Sequence, residues 1–125
     1  LKAKNFHWNV EGANFPQYHE FFDSLYEEVY GATDQSAEEI RALDAYAPGS
    51  FSRFSELTDI EDETSIPMGL EMARRLMVDN EKVLETLNMA FKVAEQFDKQ
   101  GLMDYLAGRI DAHNKHAWML RSITK

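Results

Sequence analysis

Two histidines, His7 and His19, stand twelve positions apart on either side of the turn "EGANFP", and Asp23 follows His19 by one helical turn. Asp34 and Glu38 repeat that one-turn spacing further along. Two imidazoles and three carboxylates are hard to borderline donors, a set that suits iron or manganese. Carboxylates stabilise a ferric product more than its ferrous precursor, so such a site favours oxidation of the metal. Each residue also has an ordinary reading. A histidine beside Trp8 at a helix end can simply be packed and hydrogen-bonded, His19 and Asp23 can serve the start of a helix, and Asp34 and Glu38 can belong to a solvated face.

The elements that must position these groups are helical. Residues 1 to about 10 read as the end of a helix, closed by Gly12 and the turn that follows. From Tyr18 to about Leu43 runs a proline-free stretch with Phe21, Phe22, Leu25, Val29, Ala32, Ala37 and Ile40 mostly three and four apart. "DAYAPGS" stops it at Pro48 and Gly49, "FSRFSEL" predicts a short helix, and "TDIEDETSIP" is an acidic link. A second long helix is expected from near Pro67 to about Phe97, with "DKQG" as the next break and a last helix from Leu102 to Ile123. Two helical hairpins joined by a long crossover have the connectivity of an all-α, ferritin-like four-helix bundle, here with a short extra helix in the crossover. The expectation is one domain over residues 1–125.

Helical geometry limits how the acids can meet. Asp23 and Asp34 point within about 20° of each other but lie about 16 Å apart along the axis, so one chain cannot close all of these ligands on one metal. Two copies of the helix packed antiparallel about a two-fold axis remove the difficulty. Positions 19 and 38 are centred on the same point, between residues 28 and 29, as positions 23 and 34. An axis there sets His19 against Glu38 of a second copy and Asp23 against its Asp34, with sites in symmetric pairs. Ser24, Gly31 and Ala32 near the axis let the backbones approach, and His7, folded back by the turn, can supply another nitrogen. No glutamate has a histidine three positions later, which disfavours the intrachain di-iron pattern of helical bundles.

The stretches "FHWNVEGANFPQYHEFFD", Asp34, "AEEIRAL", "APGS" and "HAWMLRS" resemble the Dps family, the DNA-binding proteins from starved cells or mini-ferritins, over essentially the whole chain. The resemblance implies a hollow homo-dodecamer built from two-fold dimers. Its ferroxidase centres, each taking two irons, would use His7, His19 and Asp23 of one subunit with Asp34 and Glu38 of the other. It implies oxidation of Fe²⁺ by hydrogen peroxide in preference to dioxygen, storage of ferric mineral, and protection of DNA without contact. Trp8 matches the family's tryptophan near the iron site, either a radical interceptor or an interfacial packing residue. Asp98 and Asp104 fall where family members line three-fold pores, and a capping or solvated acid is the other reading. Glu20 and Glu27, to one side of the ligand stripe, are candidates for mineral nucleation. His113 and His116, one turn apart, are read as surface or pore-side residues, with metal binding as the alternative. Met68 and Met72 are read as core rather than as haem ligands.

Composition bounds the rest. The 125 residues suffice for one core, and cysteine is absent, so no thiolate site or disulfide forms. Lys+Arg 13 against Asp+Glu 22 gives a net charge of −9, which repels nucleic-acid phosphates and attracts cations. Binding of DNA, and the alternative role of compacting a nucleoid, would need a basic N-terminal tail. The opening "LKAKNFHW" reads as though it lies inside a helix, so an N-terminal segment outside this sequence is expected. No run approaches the about 20 apolar residues of a membrane span, and the lack of cysteine accords with a cytoplasmic location, nucleoid-associated in the alternative role.

Overall fold

The structure is a computed structural model that describes residues 1–125, and every regular element is an α-helix. They are α1 (Lys2–Asn9), α2 (Phe15–Ala42), α3 (Phe51–Leu57), α4 (Gly69–Gln96) and α5 (Gln100–Thr124). Residues 1–66 form one compact unit and residues 67–125 a second.

In the first unit α1 packs on α2 through a five-residue turn. Val10 leaves α1 in an extended conformation, and Gly12 has φ +108°, outside the range that side-chain-bearing residues adopt readily. Phe15 then donates its N–H to the Gly12 carbonyl at 3.0 Å. Asn14 takes the N-cap position of α2 without a side-chain capping bond, and Pro16 sits in the helix's first turn, where the missing N–H costs nothing. The helix therefore starts three residues before the expected Tyr18. Phe6, Val10, Phe22 and Leu25 are buried, and the Phe6 and Phe22 rings meet at 6.0 Å. Fully burying one such side chain is worth about 1.5–3 kcal/mol, so this small cluster fixes how α1 lies on α2.

Both long helices end the same way. After α2, Asp44 at φ 63° donates to the Arg41 carbonyl and Ala45 to that of Ile40. After α4, Asp98 at φ 53° donates to Glu95 and Lys99 to Ala94. These paired bonds are Schellman closures with aspartate in the left-handed position more often held by glycine. The second closure turns the chain within three residues, so α5 begins at Gln100 and Gly101 lies inside the helix instead of in the expected break. Ser50 caps α3, its hydroxyl accepting from the Arg53 N–H at 3.2 Å.

In the second unit α4 and α5 pack along their length, with Met72, Ala73, Leu76, Ala94, Leu106, Ala117 and Leu120 buried. Two expectations are corrected here. Met68 is not core: it is the extended N-cap of α4 and 82% exposed, which also places Pro67 before the helix and not in its first turn. His113 and His116 are not surface residues: both are 4% exposed. His113 Nδ1 lies 2.7 Å from Asn80 Oδ1, and Asn80 Nδ2 donates to the His113 carbonyl at 2.9 Å. Arg109 Nη2 lies 3.2 Å from His113 Nε2. A guanidinium only donates, so Nε2 accepts and Nδ1 carries the proton. Both ring nitrogens are thereby engaged, which argues against His113 as a metal ligand.

Candidate metal centre

The first unit brings His7, His19 and Asp23 together. His7 is on α1; His19 and Asp23 are one turn apart on the face of α2 that α1 covers. The two rings stack at 3.8 Å between centroids and 21° between planes. His7 Nδ1 lies 2.8 Å from the His19 carbonyl oxygen, and His19 Nδ1 lies 2.7 Å from the His7 carbonyl oxygen. A carbonyl only accepts, so in both rings Nδ1 is the protonated nitrogen and Nε2 keeps its lone pair. With Nε2 left over on each ring, the reciprocal pair has two nitrogens chemically able to act as donors. Backbone carbonyls that fix tautomer and ring plane are a recurring support for histidine metal ligands. Phe15 lies against His19 at 4.9 Å between ring centroids.

Asp23 completes the group, with Oδ1 3.7 Å from His7 Nε2. The same oxygen accepts from Lys4 Nζ at 2.6 Å. That charged hydrogen bond, helped by His7 and the Lys4 charge itself, holds the Asp23 carboxyl below the ordinary carboxylate range. Lys4 also sits 4.6 Å from the centre of the Tyr26 ring, which stacks on Tyr30 at 5.3 Å. The donor set, two imidazole nitrogens and an ionised carboxylate, fits a first-row divalent metal such as Fe²⁺.

Asp34 and Glu38 are exposed, one turn apart on α2, and helical rise keeps Asp34 about 16 Å from Asp23. Within one chain, no three or more of the histidine, aspartate and glutamate side chains are grouped to enclose a metal. Trp8 is 63% exposed beside His7. Glu20 and Glu27 are exposed on α2, and Asp104 is exposed early in α5. Asp98 occupies the left-handed position closing α4. The residue that sequence reasoning passed over is Lys4. Its signal was its place one turn before His7 on α1, which puts both side chains on the same helix face.

A family model for the ferritin-like domain matches residues 1–125. "DNA protection during starvation protein 2" of Bacillus anthracis is 32% identical over 97% of this chain and 83% of its own length. The crystal structure of a Dps protein from Bacillus brevis matches with a TM-score of 0.95 and 31% identity, covering 99% of this chain and 83% of that one. The chain belongs to the Dps family of ferritin-like proteins. Its fold is accordingly the ferritin-like four-helix bundle, with α3 as the short extra helix in the crossover. The Dps protein of Vibrio cholerae O1, described as a member of a broad superfamily of ferritin-like diiron-carboxylate proteins, shares that fold at a TM-score of 0.95 and 24% identity, over 99% of this chain and 78% of that one. No helix is long and apolar enough to cross a membrane.

Proposed function

We propose that this Dps-family chain is an iron-storing ferroxidase whose di-iron centres are shared between two subunits. The observation that carries the reading is the reciprocal His7–His19 pair. It fixes two Nε2 lone pairs beside the Asp23 carboxylate, an arrangement a purely structural pair of histidines has no need to adopt. The partner subunit's Asp34 and Glu38 supply the other half of the ligands by the two-fold geometry of α2. Iron enters as substrate. Two Fe²⁺ release two electrons, which with two protons reduce one hydrogen peroxide to two waters; dioxygen is the slower alternative oxidant. The carboxylates stabilise the Fe³⁺ produced, and the mineral collects inside a homo-dodecamer. Iron and peroxide consumed together cannot generate hydroxyl radicals, so DNA is protected without being bound.

Around that centre Trp8 intercepts stray oxidising equivalents, Asp104 and Asp98 line the route by which Fe²⁺ enters, and Glu20 and Glu27 nucleate mineral. Asp104, free of a helix-closing role, is the stronger pore residue. A DNA-compacting role finds no support in these residues, because their net charge of −9 opposes phosphate.

The test is anaerobic loading of the assembled protein with Fe²⁺ followed by measured additions of hydrogen peroxide. The reading predicts one peroxide consumed per two irons, with saturation at four irons per dimer before mineral growth. Oxidation no faster than that of free Fe²⁺ in buffer would overturn it.

A further inference from the structure

We infer that Phe15 is a positioning residue of the metal centre, holding the His19 ring in the plane that a bound metal needs. The inference rests on the reading of His7 and His19 as metal ligands. An imidazole lone pair lies in the plane of its ring, so turning the ring takes Nε2 off its target. The terminal torsion of a histidine side chain is soft, with broad minima, whereas a metal site tolerates about 10–20° of misorientation. The Nδ1 bond to the His7 carbonyl pins one corner of the His19 ring and leaves it free to tilt about that corner. His7 blocks the tilt on one face, stacked at 3.8 Å between centroids. Phe15, one turn before His19 on α2, meets the same ring at 4.9 Å between centroids and 32° between planes. One imidazole face has room for one ring at such distances, so Phe15 contacts the part of His19 that His7 leaves open.

Two features of Phe15 fit this role better than a place in the core. Its side chain is 40% exposed, while Phe6 and Phe22, which fasten α1 to α2, are fully buried. The covered part of Phe15 includes its contact with the His19 ring. Its backbone is also held in place. The Phe15 N–H closes the turn on the Gly12 carbonyl at 3.0 Å, and Pro16, with its φ locked by the ring, follows in the first turn of α2. The turn therefore delivers the Phe15 side chain to a set position beside His19. A leucine there would fill much of the volume without offering a flat face. The same turn that folds α1 back to bring in His7 thus also sets the ring that steadies His19.

Co²⁺ absorption and calorimetric titration of the assembled chain, with no iron or peroxide present, test this directly. Phe15→Leu is expected to bind Co²⁺ about tenfold more weakly, the lower end of what losing a supporting residue costs a metal site. Its visible Co²⁺ bands should shift as well, because they report the geometry of the ligands. Phe15→Tyr keeps the ring and should match the unsubstituted chain in affinity and in spectrum. Phe15→Met carries the same expectation as the leucine variant and replaces it if that variant does not assemble. A weaker Phe15→Leu with unchanged bands overturns the role, since the ligand geometry would then be intact. So does a Phe15→Tyr that loses as much affinity as Phe15→Leu. His19→Ala separates the two levels of the claim. If His19→Ala abolishes Co²⁺ binding while Phe15→Leu binds like the unsubstituted chain, the role of Phe15 is overturned and the centre stands. If Co²⁺ binds equally well without His19, the centre itself is misplaced and both fall.

Discussion

The protein contains two pairs of neighbouring histidines, and the rings of His7 and His19 are held differently from that of His113. In the first unit, His7 and His19 spend Nδ1 on each other's backbone carbonyls and keep Nε2 for something else. In the second, His113 spends both nitrogens on side chains, Nδ1 on Asn80 and Nε2 on Arg109. The first pair is half-buried beside a carboxylate and the second is buried. Residue type alone therefore separates nothing. On the proposed reading, His7 and His19 differ from His113 in that the hydrogen bonds that orient their rings leave a lone pair behind.

The largest expected effect is on the first pair. The double variant His7→Ala, His19→Ala should lose peroxide-driven Fe²⁺ oxidation by at least about a hundredfold, since removing even supporting residues of a metal site costs tenfold to a hundredfold. Its melting temperature should fall as well, because the two Nδ1–carbonyl bonds and the ring stack that join α1 to α2 are lost. Stopped-flow oxidation and calorimetry on the same sample check both halves.

The second pair should respond the other way. Asn80→Ala removes both bonds that tie α4 to His113, and a loss of about 2–4 kcal/mol in unfolding free energy is expected. Co²⁺ binding per folded molecule should stay as it was. A metal-binding defect in Asn80→Ala that exceeds its unfolding would erase the contrast between the pairs.

A smaller change sharpens the reading of Asp98. With φ 53° at a Schellman closure, Asp98→Gly should raise stability by about 0.5–1 kcal/mol, because glycine adopts that conformation without strain. If Asp98 also lines the iron route, the same variant slows uptake at low salt while it stabilises the fold.

The smallest effect is on acid stability. Asp23 titrates below its ordinary value because Lys4 donates to it, with the nearby positive charges adding to the effect. A depressed carboxyl contributes stability that is present above the unfolded-state value and is lost as pH falls through the folded one. Asp23→Asn should therefore be less stable than the unsubstituted chain at neutral pH, with the difference shrinking to nothing as pH falls below the ordinary carboxylate range and through the folded-state value. Urea unfolding at a series of pH values from neutral to acid measures it. A difference that persists undiminished at the lowest pH would point to packing and not to charge.

Much of this was legible in the chain, and the parts that were not share a cause. The one-turn spacing of His19 and Asp23 and the turn at Gly12 were enough to anticipate that His7 folds back onto α2. The boundaries of α3 followed from "FSRFSEL" between its breakers. The start of α5 did not follow, because Asp98 accepts a left-handed conformation that sequence alone assigns to Gly101. The burial of His113 was also hidden. Its partner Asn80 is 33 positions away, and nothing local to either residue announces the pairing. Met68 read as core on spacing, yet it precedes the helix that would have turned it inward. Lys4 was overlooked for the plainest reason: a lysine on an exposed-looking helix end gives no sign that a carboxylate on the next helix will take its ammonium.

The shared centre is tested most directly by mixing subunits. One variant carries His7→Ala, His19→Ala and Asp23→Ala; the other carries Asp34→Ala and Glu38→Ala. Alone, each should lack fast Fe²⁺ oxidation, because every one of its sites is missing half of its ligands. In a mixed two-fold dimer one site is complete and the other lacks all five ligands, so co-assembled protein should recover up to about half the activity per mixed dimer. Native mass spectrometry establishes that the two variants have combined, and peroxide-driven Fe²⁺ oxidation gives the readout. Recovery supports a centre built from His7, His19 and Asp23 of one subunit and the partner subunit's Asp34 and Glu38. Activity that stays at background in verified mixed assemblies contradicts it.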